Sequence, residues 1–144
     1  MTTSPDLVVE RWVAATPERV YRYLTDSERW VLWQGVEGSH DPRPGGLFRL
    51  SMANGMTARG QFVTLEADRR VVFTWGWVDH PGLPPGSTTV EIELVPADDG
   101  TLIRLTHHGL PATERPAHLI GWQHYLPRLA TVSLGDDPGP DSGP

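Results

Sequence analysis

The stretch TTVEIELVPADDGTLIRLTHHGL, residues 88–110, limits the fold more than any other part of the chain. Val90, Ile92 and Leu94 alternate with Glu91 and Glu93, so a strand here has one dry face and one wet face. Asp99-Gly100 supplies the positive φ angles of a tight turn, and TLIRLTHHGL runs back as the antiparallel partner. Upstream, LFRLSM (47–52), ARGQFVTLEA (58–67) and VVFTWGW (71–77) are further strand candidates, joined by ANGM, DRR and the loop VDHPGLPPGS. With DPRPGG (41–46) as the turn that precedes them, five strands on short connections predict an antiparallel meander.

The meander needs something to cover its dry face. Residues 7–15, LVVERWVAA, are valine-rich and partly alternating, which suits one more strand. Thr16 then caps a short helix that starts near Pro17, with Val20, Tyr23 and Leu24 on its inner stripe. Asp26 or Ser27 caps a second, which carries Trp30 and Trp33 three apart on one face. After the meander, Leu119, Trp122, Leu126 and Leu129 recur at steps of three and four and predict a long helix, with Thr113 as its cap and Pro116 in its first turn. That helix is long enough to cover the sheet. Residues 1–134 then form one domain, and GDDPGPDSGP (135–144) is expected to be a flexible acidic tail that buries nothing.

Composition removes several chemistries. The formal net charge is -6, and all 12 basic residues are arginines with no run of three, so nothing favours a phosphate backbone and nucleic acid is not an expected partner. Without cysteine there is no thiolate nucleophile, disulfide or thiolate metal site, and without lysine no side-chain Schiff base. His118 and His124 are six apart and share no helical face, so no metal site is expected. No phosphate-binding loop or G-x-S-x-G elbow occurs, so neither a cofactor nor nucleophilic catalysis is expected. With no long apolar run and no signal-peptide pattern, the expected setting is the cytoplasm, away from membranes.

PGGLFRLSM, GQFVTLEADRRVVFTWGW, DDGTLIRLTHHGLP and HLIGWQHYLPRL resemble, in order, the signature segments of the START-like (SRPBCC) superfamily. Within it they look closest to the group named for the activator of the ninety-kilodalton heat-shock protein ATPase, over residues 7–133. The resemblance implies an α+β, Bet v 1-like helix-grip fold: a curved antiparallel sheet wrapped around a long C-terminal helix, with two short helices after the first strand. It implies an apolar cavity between sheet and helix, while relatives range from lipid carriers and polyketide cyclases to antibiotic-sequestering proteins and co-chaperones. The co-chaperones carry a further N-terminal domain that these residues do not contain, which weighs against that role. The lysine-free, arginine-, proline- and glycine-rich composition suits a GC-rich bacterial genome.

Under that fold the expected cavity lining is Trp30, Trp33, Phe73, Trp75, Trp77, His107, Trp122, Tyr125 and Leu126, with a small hydrophobic, aromatic or polyketide-like molecule as the partner. Plain core packing is the alternative for each tryptophan. His107 shares parity with Leu105 and Ile103 and points inward. It is either a general base acting with Tyr125 in a cofactor-free cyclase or dehydratase, or a satisfied structural histidine. His40 is placed at the cavity mouth, and the 78–87 loop at its rim. Gly121 is expected to bring the helix close to the sheet, and Pro127 to bend it by removing a bond to the Gln123 carbonyl. Ligand binding is favoured over catalysis, antibiotic sequestration and a protein-interaction module remain open, and the protein is expected as monomer or homodimer.

Overall fold

A computed structural model describes residues 6–144. The chain runs β1 (Leu7–Val13), α1 (Pro17–Arg22), α2 (Ser27–Trp30), β2 (Glu37–His40), β3 (Leu47–Ser51), β4 (Thr57–Glu66), β5 (Arg70–Trp75), β6 (Thr88–Ala97), β7 (Gly100–His108), a 3₁₀ turn (Ala112–Glu114) and α3 (Arg115–Ser133). All seven strands form one antiparallel sheet in the order β1-β7-β6-β5-β4-β3-β2. This is the helix-grip arrangement, with α3 against the concave face.

The local devices anticipated for α1 and α2 are present. Thr16 accepts a hydrogen bond from the Arg19 amide with Pro17 at the helix start, and Asp26 accepts from Glu28. The dry and wet faces also separate as expected. Val90, Ile92 and Leu94 are buried, whereas Glu91 reaches Arg70 at 2.7 Å and Glu10 reaches Arg104 at 2.8 Å on the opposite face. In β4 the register slips between Phe62 and Thr64, so Val63 is an extra residue. The bulge lets Phe62 and Leu65 keep facing the core opposite Phe73 and Val71, and it adds curvature.

Four expectations are corrected. Residues 37–40 form a strand that the turn-like EGSH does not announce. β5 ends at Trp75, and Trp77 holds only an isolated bridge to Ala58 because its amide bonds Leu83 of the folded-back loop. In the β6–β7 hairpin Ala97 pairs with Gly100, and the positive φ angles fall on Asp98 (49°) and Asp99 (61°). Gly100 is needed for a different reason: a Cβ there would run into the Val13 carbonyl and the Trp12 indole. Finally, Thr113 lies in the 3₁₀ turn, and α3 starts after Glu114 without a side-chain cap.

The tail also differs from expectation. Asp141 is 6% exposed and accepts the Gly35 amide at 2.7 Å. Arg128 donates to the carbonyls of Pro138 (3.1 Å), Gly139 (2.7 Å) and Trp33 (3.0 Å). Few apolar groups are involved; a buried carboxylate and a guanidinium fork hold this segment through backbone bonds.

Candidate ligand-binding cavity

The space between sheet and α3 is divided. At one end it is solid: Phe48 stacks on Phe73 at 4.4 Å, and Trp30 meets Phe48 and Phe73 edge-on at 5.2 and 5.4 Å. Trp33 packs against Trp30 at 4.9 Å and donates to the Tyr23 carbonyl. His40 belongs to this packed end rather than to any cavity mouth, stacked on Phe48 at 4.6 Å with neither ring nitrogen hydrogen-bonded. Burial holds its pKa below the ordinary value.

At the other end lies a cavity of about 470 Å³. Its walls come from Gln34 after α2, the 52–56 turn, Trp75 at the end of β5, Trp77 and His80 beyond it, the first half of α3 and residues 142–144. Trp75, Trp77, Trp122 and Tyr125 line it as anticipated; Trp30, Trp33, Phe73, His107 and Leu126 do not, and stand in the packed core. The site as read from sequence therefore splits into a wall and its support.

Gly121 is another correction. A Cβ at this position meets nothing within 4 Å, so the glycine does not serve close packing and leaves open space in the cavity wall. Pro127 stays inside an unbroken α3 and lies away from the cavity, on a separate groove of about 320 Å³ against β1. The 78–87 loop supplies His80, whose Nε2 stands 2.6 Å from Oε1 of Glu114, another lining residue.

The polar groups of the wall are mostly satisfied by one another. His118 Nδ1 donates to the Glu114 carbonyl at 2.7 Å, which leaves Nε2 as acceptor for the indole N–H groups of Trp77 (3.1 Å) and Trp75 (3.4 Å). His107 Nδ1 accepts from the Trp122 indole at 3.0 Å, so its proton is on Nε2, facing Thr88 Oγ1 at 2.9 Å; Thr88 in turn donates to the Trp75 carbonyl. Burial first, then the neighbouring imidazoles of His118 and His108, push the His107 pKa down to about 3. His118 is also lowered, chiefly by burial. For Tyr125, burial and then the Asp141 carboxylate raise the pKa, so its phenol stays protonated at neutral pH.

All six tryptophan N–H groups have protein acceptors. The cavity is therefore faced by indole rings whose polar edges are spent inside the protein. Among the described residues no cluster of His, Asp or Glu is arranged to hold a metal ion.

The model of the family described as activator of Hsp90 ATPase homolog 1-like protein matches residues 14–133. The chain belongs to this family. The AHSA1-like chain is 42% identical to the AHSA1-like protein RHE_CH02687 of Rhizobium etli, covering 94% of itself and 87% of that protein with a TM-score of 0.71. CalU16 of Micromonospora echinospora is 26% identical over 89% of this chain and 75% of its own, with a TM-score of 0.74. DynU16, a protein of the dynemicin biosynthetic locus, superposes with a TM-score of 0.81 at 22% identity; the match covers 97% of this chain and only 51% of DynU16. No curated protein matches.

His118, Gln34, Met52 and Met56 are wall residues of this AHSA1-like protein that the sequence reading missed. A signal existed for the first: His118, Gly121, Trp122 and Tyr125 follow the i, i+3, i+4, i+7 pattern of one helical face. Gln34 and the methionines carry no periodic signal, because they sit in turns that only the closed sheet brings together. No described helix is long and apolar enough to cross a membrane.

Proposed function

We propose that this protein binds a small, largely apolar molecule, flat and aromatic in character, in the cavity between β5 and the first half of α3. The observation that carries the reading is the space of about 470 Å³ faced by Trp75, Trp77 and Trp122 with their N–H groups already bonded to protein. Such walls offer ring faces and dispersion contacts while demanding few polar partners from the guest.

Binding is favoured over proton-transfer catalysis at the residues singled out from sequence. Both nitrogens of His107 are engaged and the ring lies outside the cavity wall, while Tyr125 is a raised-pKa phenol beside a carboxylate. The test is tryptophan fluorescence during titration with planar aromatic compounds. Saturable quenching that weakens strongly in Trp77→Leu supports the reading; no response to any compound in the wild-type protein contradicts it.

A further inference from the structure

Gln34 is the most deeply buried polar residue on the cavity wall. It is 1% exposed, yet it lines the cavity. Trp30 Nε1 lies 3.0 Å from the Gln34 side-chain oxygen, and an indole N–H can only donate, so this contact fixes which end of the amide is oxygen. The other end, an NH₂ with two hydrogens, has no protein acceptor among the described residues, and it is not among the buried atoms sealed away without a partner. It therefore opens onto cavity space. Nearby alternatives are occupied: His118 Nε2 receives two indoles, and Tyr125 interacts with Asp141.

We propose that Gln34 is a specificity-determining residue that selects, among flat apolar guests, those carrying a carbonyl-type oxygen at one edge. The inference rests on the cavity-binding reading and narrows it to a substrate class: aromatic ketones, quinones and similar polycyclic carbonyl compounds. An apolar guest that covers this amide donor without offering an acceptor strips it of solvent at a cost, so a guest that supplies the oxygen gains relative to its hydrocarbon counterpart. Trp30 acts through this contact as a positioning residue, because its N–H holds the amide the right way round in the packed aromatic end.

The test compares 9-fluorenone with fluorene, two rings of nearly one shape that differ by a carbonyl, by calorimetric titration of wild type and Gln34→Leu. The expected result is a preference for fluorenone of about 3- to 10-fold, the range of one net hydrogen bond, that disappears in Gln34→Leu. Equal binding in the wild type, or a preference that survives the substitution, overturns the role of Gln34 and leaves the cavity reading standing. If neither compound binds, both fall. Should Gln34→Leu fail to fold, the carbonyl stretch of ¹³C-labelled fluorenone bound to the wild-type protein answers the same question. A shift to lower frequency, as for a hydrogen-bonded ketone, supports the proposal, and a stretch at its position in hydrocarbon solvent overturns it.

Discussion

The indole of Trp122 donates to Nδ1 of His107 over 3.0 Å, and this one bond sets the tautomer of an imidazole that is 0% exposed. A residue chosen from sequence as a possible base is thereby a structural link between α3 and β7.

The consequence is a pH dependence with a definite sign. The His107 pKa falls from 6.5 to about 3 on folding, so between those values the unfolded chain takes up a proton that the folded chain refuses. The stability is full above pH 6.5 and declines as pH falls through that window, by roughly 5 kcal/mol once pH reaches about 3 if His107 alone is counted. In His107→Gln the Trp122 N–H keeps an acceptor and the titration is gone. Urea unfolding at pH 7.5 and 4.5 should show a smaller loss in the variant than in the wild type; equal losses would contradict the buried neutral imidazole.

Gly121 faces open space inside a helix. Gly121→Ala should raise stability by about 0.5–1 kcal/mol, since it removes the helical penalty of glycine without a clash. Gly121→Phe should fill the cavity and abolish quenching by aromatic compounds while the protein stays folded. Thermal unfolding and titration read the two effects separately.

The β6–β7 turn places two aspartates at positive φ, where glycine or asparagine is favoured. Asp99→Gly is expected to stabilise the protein by a few tenths to about 1 kcal/mol, whereas Gly100→Ala, directed at the Val13 carbonyl, should destabilise it by more than about 1 kcal/mol. Denaturant midpoints of the two variants should move in opposite directions.

Asp141 is buried against the Gly35 amide, with His124 Nε2 at 3.5 Å. Asp141→Ala should cost about 1–3 kcal/mol by leaving that buried N–H unpaired. It should also raise hydrogen exchange at Gly35 and through residues 136–144; unchanged exchange would mean that this anchor does not hold the segment.

Much of the architecture was legible because the residues carry it locally. The alternation of Val90, Ile92 and Leu94 with Glu91 and Glu93, the caps at Thr16 and Asp26, and the Leu119-to-Leu129 stripe each encode one element. The cavity was only half legible. Aromatic content marked Trp75, Trp77 and Trp122, but an indole that fills a core and one that faces a void look alike in sequence, and Trp30 and Trp33 are filler. Gln34 and the tail escaped for a different reason. Gln34 lies in a turn and bonds only its near neighbour Trp30, while the tail is anchored by a hydrogen bond across most of the chain, from Gly35 to Asp141, and periodicity records neither.

The most direct measurement is a ¹H–¹⁵N spectrum of the indole N–H groups during titration with 9-fluorenone. The six signals divide by position: Trp75, Trp77 and Trp122 border the cavity, while Trp12, Trp30 and Trp33 do not. Ligand binding between sheet and helix predicts large, saturable shifts of the first three, with the signals of Trp12 and Trp33 unmoved and at most a small change at Trp30 transmitted through Gln34. Shifts confined to the exposed Trp12, or no shifts at all, would contradict it.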